Sequence, residues 1–465
     1  MLDMIGVGPF ITLPLILAAM GGPQAMLGWI LGALLALCDG LVWAELGAAM
    51  PEAGGSYAFL RRIYSGPHGT NKLGRFVAFL FIFQLTFSAP LSVASGCIGL
   101  SQYAAYIFPS LSGHAMQRVI HIGPYSAGIT ASPGTVVAIV AVLVAVALLY
   151  RGLASVRVLT VAMWCAVMGT IVWILATGAI HGHLRQAFTF PAGAFHLTPA
   201  FFTGLGSAML IATYDYWGYY NITFLGGEVK DPARTVPRAI LISIALVAGI
   251  YLLMNVAVLA VLPWQSLVGN ATTSSLQARR AVVSLFMETA YGPSIGPMLG
   301  KLAAVLVMGT AFASVFSLLL GYSRIPYAAA RDGNFFRIFG RLHKGGFPHV
   351  SLLALGAMAV VFCFFSLADV IAALVVLRIL VQFLMQHIGV IVLRKAQPEM
   401  RRPFRIWLYP APPLLAILGF VYILVERVNF ARELALAGVV IAAGAAVYGI
   451  REWMRDSTTT DRRPA

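Results

Sequence analysis

Met4-Ile5-Gly6-Val7-Gly8-Pro9-Phe10 interrupts the first apolar run of the chain, and the reading of that interruption decides the fold. Gly inside a helix costs about 1 kcal/mol against Ala, and Pro about 3. Two Gly and a Pro so close together predict a broken helix. In lipid, a broken backbone survives only where protein buries it or where it lines a cavity. A kink, or close packing through small residues, explains such a stretch equally well when it stands alone. A second irregular stretch accompanies it: Thr213-Tyr214-Asp215-Tyr216-Trp217-Gly218-Tyr219-Tyr220-Asn221 places an acid in the middle of a later apolar run. An Asp at mid-membrane costs about 2.5–3.5 kcal/mol on insertion scales, which makes it a functional position by default. The structural alternative is a buried Asp satisfied by Tyr hydroxyls or by a helix N-terminus.

Composition says why lipid is the solvent. The chain has 465 residues, of which 60% are hydrophobic and 10% charged. Soluble chains are about 45–50% apolar and about 25% charged. A soluble domain, a disordered chain and a disulfide-stapled secreted module are thereby excluded. Cys38, Cys97, Cys165 and Cys363 all sit in apolar stretches without Cys-x-x-Cys spacing, and read as small hydrophobes.

A membrane helix needs roughly 20 apolar residues. Such runs fall at 1–21, 24–49, 76–108, 133–150, 158–180, 199–225, 239–262, 298–322, 349–367, 370–393, 409–426 and 434–450. This predicts an all-α polytopic membrane protein of about 12 transmembrane helices. The broken runs are the first and the sixth. Matching interruptions in two halves point to a transporter site built from inverted repeats. Residues 1–180 and 199–395 are then the two repeats, 409–450 two accessory helices and 451–465 a short tail. The net charge of +15 comes from Lys and Arg clustered between the runs, not from a nucleic-acid surface. Of the 31 basic residues, 23 fall on one side and 6 on the other. The basic side is cytoplasmic and faces anionic lipid headgroups, which puts both termini inside and the protein in the plasma (inner) membrane. Residues 1–21 have no Lys or Arg and do not read as a signal peptide. Only five residues precede Gly6, so either the true start lies upstream or the half-helix is truncated.

These residues resemble the amino acid–polyamine–organocation superfamily of secondary transporters. Residues 43–60, Trp-Ala-Glu-Leu-Gly-Ala-Ala-Met-Pro-Glu-Ala-Gly-Gly-Ser-Tyr-Ala-Phe-Leu, are similar to its second-helix signature. The first run resembles its Gly-x-Gly-Phe segment, and 214–221 its Tyr-Asp-x-Trp-x-x-x-Asn segment. Residues 228–240 and 323–333 resemble the following cytoplasmic loop and the end of the eighth helix. The resemblance implies a core of five plus five inverted helices, like that of bacterial sodium-coupled leucine transporters. It also implies a central site for an amino acid or amine. Backbone N–H groups near Gly6, Val7, Gly8 and Phe10 suit a carboxylate. Carbonyls near Ile5 and Tyr214 suit an ammonium. Asp215 would meet a cationic group, Trp217 and its Tyr neighbours would close over the substrate, Gly218 would supply the unwound turn, and Asn221 would orient.

Departures from the family pattern are also legible. Tyr216 stands where relatives often have Gly, so the unwound register is open by about two residues. No Lys lies between Lys72 and Lys230, so the fifth-helix Lys of some proton-coupled relatives is absent. A proton or sodium coupling ion is possible, and no other cofactor is expected. Tyr216, Glu228, Arg331, Arg378 and Gln382 are candidates for the gates or the pathway, with Arg234 beside them. Arg378, Gln382 and Gln386 share one helical face; Arg378 either snorkels outward or faces the cavity. Glu45 and Glu52 read as caps or as partners of cytoplasmic Arg. His181 and His183 read as surface polarity, since two ligands without a third make no metal site. Ser314 and Ser317 read as helix packing or as cation ligands. The leading function is amino acid transport by alternating access; the alternative is a polyamine or organic-cation carrier, argued from Asp215. No nucleophile–base or metal motif supports an intramembrane enzyme.

Overall fold

The computed structural model describes residues 4–460, apart from 7, 53, 67–70, 114–115, 123–124, 152–155, 269–280 and 427–429. Val7 therefore lies outside the described residues, as does the side chain of Glu228. Each of the predicted apolar runs carries helix. Eight helices among the described residues are long and apolar enough to cross a membrane: Pro23–Ala49, Lys72–Ile107, Pro133–Tyr150, Val158–His181, Pro232–Val261, Val282–Arg331, Ala373–Ala396 and Glu433–Met454. His349–Phe362 and Ala411–Val425 are shorter apolar helices.

The first and sixth runs are the two that break. The first holds the short helices Gly8–Ile11 and Leu13–Met20. The sixth is an α-helix over Pro199–Tyr216, then a 3-10 helix over Tyr219–Glu228. Between these two pieces Trp217 is extended and Gly218 has φ 118°, a left-handed value that costs Gly little. The break thus falls at Trp217–Gly218, two residues beyond the predicted Gly position. Tyr216 closes the α-helix instead and buries its ring between Trp29 and Tyr251.

Small residues set how closely the helices meet. A Cβ on Gly28 would lie 2.7 Å from the Ala208 Cβ, and one on Gly32 would lie 3.1 Å from the Ala212 Cβ. Four residues apart, these glycines share one face of Met26–Ala49 and let Pro199–Tyr216 close onto it. At the other end of the signature, Gly55 has φ 49° and packs on the Phe224 ring. A side chain there would strike both Phe224 and Thr223, so the Gly-Gly pair seats the loop on the 3-10 helix.

Four features differ from the sequence reading. The third helix begins at Lys72, capped by the Asn71 side chain accepting from Leu73 N at 2.9 Å. The eighth run is preceded by helical residues from Val282 onward, with a break at Gly292 (φ 72°). Helix Phe430–Thr460 runs through most of the predicted tail, because no Gly or Pro follows Gly449 before it ends. Finally, Met116–Ile122 pairs antiparallel with Tyr125–Ala131, so the molecule is not purely helical. Val119, Ile120 and Ile122 ahead of the sequence Gly123-Pro124 were the available signal.

Candidate functional site

The two breaks meet at one cavity of about 50 Å³. Met4, Gly6 and Gly8 line it from the first run, and Tyr214, Asp215, Trp217, Gly218 and Tyr220 from the sixth. Ser92 and Gly96 come from the third helix, Ser314, Leu318 and Tyr322 from the eighth, and Arg378 from the tenth.

Asp215 is 3% exposed. Its Oδ2 accepts from Thr12 Oγ1 at 2.6 Å, and that hydroxyl also lies 2.9 Å from the Gly8 carbonyl. Oδ1 is buried without a hydrogen-bond partner. It borders the space a Gly8 side chain would take, since a Cβ there would strike the carboxylate. The acid is thus tied to the backbone of the first break. Tyr251 reinforces the tie, donating to the Met4 carbonyl at 2.5 Å and lying 3.4 Å from the Asp215 carbonyl. Gly6 backs onto Ser314, whose Oγ would lie 2.9 Å from a Cβ.

Arg378 faces the cavity rather than snorkelling outward. Its guanidinium donates to Tyr220 Oη at 3.0 Å, to Ser92 Oγ at 2.9 Å and to the Ser88 carbonyl at 3.4 Å. It lies 5.2 Å from the Tyr322 ring centre and 5.7 Å from that of Trp217, within cation–π range. The cavity therefore carries one carboxyl group and one guanidinium. Tyr214 Oη lies 2.7 Å from Ser95 Oγ. Ser88, Ser92, Ser95 and Gly96 were missed from sequence; their small-residue spacing on the third helix was the signal.

The family model described as amino acid permease matches residues 1–445. This chain belongs to the amino acid permease family. It is 26% identical over 427 residues to the serine/threonine exchanger SteT of Bacillus subtilis, covering 90% of this chain and 86% of that protein. It is 26% identical over 442 residues to the branched-chain amino acid permease BcaP of the same organism, covering 91% and 86%. A mouse cationic amino acid transporter 4 is 26% identical over 384 residues, covering 82% of this chain and 54% of that protein. The family and these relatives are transporters, not enzymes, and with the apolar helices they make this chain a multi-pass membrane protein.

The remaining predicted residues of the permease that the structure describes do not line the cavity. Ile5 and Phe10 are buried behind it, and the Phe10 carbonyl accepts from Tyr103 at 2.6 Å. Asn221 follows the break, with its Oδ1 buried and without a hydrogen-bond partner. Gln382 and Gln386 do not line the cavity with Arg378. A π-helical turn over Ile379–Phe383 follows Arg378, and both amides bond to Ser56, Gln382 at 3.2 Å. Arg331 is exposed, and it is its neighbour Asp332 that pairs with Arg61. Ser317 does not line the cavity. His181 packs its ring on Tyr291, with centroids 4.7 Å apart.

Glu45 anchors the predicted cytoplasmic side. It accepts from Arg394 Nε at 2.9 Å and from Ile406 N at 2.8 Å, and lies 3.4 Å from Arg402 Nε. Truncation leaves two guanidinium groups and a buried N–H without their acceptor. Glu45→Ala is expected to cost about 3 kcal/mol. Arg61→Ala, which breaks a pair 40% exposed on each side, is expected to cost under about 1 kcal/mol. Thermal unfolding of the two variants in detergent checks the order: a clear drop in Tm for the first and little change for the second.

Proposed function

We propose that this permease is a secondary active transporter that moves amino acids across the plasma membrane by alternating access. The carrying observation is that both backbone breaks converge on one cavity that holds Asp215 and Arg378. In this reading the N–H groups at the start of the half-helix 8–20 take the substrate carboxylate. Carbonyls around Ile5 and Tyr214 take the ammonium. Trp217 covers the bound molecule. Segments 1–180 and 199–395 are the inverted repeats that move against each other, with 409–450 as accessory helices and both termini cytoplasmic. The Glu45 and Arg61 pairs close the inner side, and substrate binding shifts the balance between the two open forms.

Arg378 separates this reading from a polyamine carrier. A guanidinium is protonated at any physiological pH. A dication entering the cavity meets a fixed positive charge, whereas a zwitterion offers a carboxylate to it or to the half-helix. Uptake and exchange in proteoliposomes with labelled L-serine, L-leucine, L-arginine and putrescine test the reading. Exchange of at least one amino acid and none of putrescine is expected. Putrescine transport alone would overturn it. Arg378→Gln is expected to raise uptake of cationic relative to neutral substrates by about tenfold, one charge-assisted contact's worth. An unchanged ratio would remove Arg378 from selectivity.

A further inference from the structure

Outside the central cavity and apart from the Glu45 cluster, the described residues bury a histidine against an acid. Asp39 on Met26–Ala49 and His387 on Leu384–Ala396 are both fully buried, with Asp39 Oδ1 and His387 Nε2 3.2 Å apart. Their hydrogen-bond accounting is constrained. His387 Nδ1 lies 2.6 Å from the Phe383 carbonyl, which can only accept, so Nδ1 carries a hydrogen. In a neutral imidazole, Nε2 is then an acceptor. Asp39 Oδ2 is taken by the Tyr219 hydroxyl, which donates to it. Oδ1 is an acceptor too unless it is protonated. Two acceptors facing each other in a site closed to water repel, and a single proton between them removes the conflict.

We propose that Asp39 and His387 hold one proton between them, and that this pair is the site at which the transport cycle is coupled to protons. The proposal rests on the transport reading above and names its coupling ion. When the pair is together, the proton sits on the Nε2–Oδ1 line and the pair is neutral overall. When the second and tenth helices part, the proton passes to water. It leaves a neutral imidazole still donating from Nδ1, and a carboxylate still held by Tyr219. Re-forming the pair takes a proton up again.

The position suits coupling. Tyr219 is the residue after Gly218, where the sixth helix breaks. Phe383 closes the π-helical turn that begins after Arg378, and its ring packs on Trp217 at 4.8 Å. The pair therefore touches the sixth segment, which carries Trp217, and the tenth helix, which carries Arg378, two of the elements that line the cavity. The other groups facing it are few. Tyr219 comes from the sixth segment, with Tyr220 next to it edge-on. Cys38 and Trp43 come from the second helix, and from the eleventh only the Phe420 ring, 5.6 Å from His387. Arg378 is engaged with Tyr220, and Glu45 with Arg394 and Arg402.

Asp39→Asn tests this directly, because its amide can donate to His387 Nε2 and so imitates the protonated pair at every pH. The first arm needs no substrate: Tm of the purified protein is followed from about pH 5 to 9. The wild type is expected to lose stability as rising pH removes the shared proton. Asp39→Asn is expected to lack that part of the profile. The second arm uses proteoliposomes and labelled L-serine, L-leucine and L-arginine. Wild type is expected to accumulate substrate several-fold under an imposed pH gradient. Asp39→Asn is expected to keep substrate exchange and lose accumulation. His387→Gln, which also donates without titrating, serves if the first variant does not fold. An unchanged Tm profile, or gradient-driven accumulation retained in either variant, would overturn the pair as the coupling site. Absence of amino acid exchange in the wild type would instead fail the transport reading, while the Tm arm still decides the pair.

Discussion

Gly8→Leu is expected to abolish amino acid uptake while leaving the protein folded. The reason is local. Even a Cβ at Gly8 would strike the Asp215 carboxylate, and the remaining leucine atoms would have to enter the cavity lined by Gly6, Tyr214 and Trp217. Overpacking of this kind costs about 1–3 kcal/mol, which a membrane protein of this size tolerates in folding. The same 1–3 kcal/mol set against substrate binding lowers affinity about five- to two-hundredfold, before the side chain's occupation of the site is counted. Gly8→Ala should give an intermediate loss of about tenfold. Gly309→Ala is the control: a Cβ there meets nothing within 4 Å, and uptake should stay at the wild-type level. Transport by Gly8→Leu at wild-type rates, with equal amounts of protein in the membrane, would remove the first break from the site.

Asp215→Asn is expected to raise the KM for substrates with cationic side chains about ten- to hundredfold and to leave neutral ones within a few-fold. Asn keeps the shape and can still accept from Thr12, so the tie to the first break survives. What it loses is the charge, and a hydrogen bond to a charged group is worth about 1.5–3 kcal/mol. The unpartnered, buried Oδ1 is the oxygen placed to make that contact. The measurement is competition against a neutral labelled substrate in wild type and variant. Equal losses for cationic and neutral competitors would show that Asp215 acts only as a brace between Thr12 and the sixth helix.

Both breaks were legible because each carries residues that a membrane helix resists: Gly6, Gly8 and Pro9 in one, Asp215 in the other. The register of the second break was not, since Tyr216 and Gly218 compete for it and only packing decides. Tyr216 finds a slot between Trp29 and Tyr251, and the left-handed turn moves on to Gly218. Arg378 was legible as anomalous, but its direction depended on Tyr220 and Ser92, which are distant in sequence. That Gln382 and Gln386 meet Ser56 was not legible, because Ser56 is more than 300 residues away in sequence, and no local pattern announces the π-helical turn after Arg378. The pairing of Asp332 with Arg61 was not legible, since the two are 271 residues apart. Asp39 and His387 escaped notice for a different reason. They are 348 residues apart, and each alone looks like an isolated polar residue in an apolar run. Only the folded contact between the second and tenth helices makes them a pair.

In the proposed transport cycle the two breaks read the carboxylate and the ammonium of one substrate. Thermal stabilisation of the purified wild-type protein compares each amino acid that it exchanges with the amine made by removing that carboxylate. A ligand at a hundredfold excess over Kd stabilises by about 2.7 kcal/mol. A clear rise in Tm is expected with the amino acid and none with its amine at the same concentration. Equal stabilisation by the two would contradict it, because a site that ignores the carboxylate has no use for the first break.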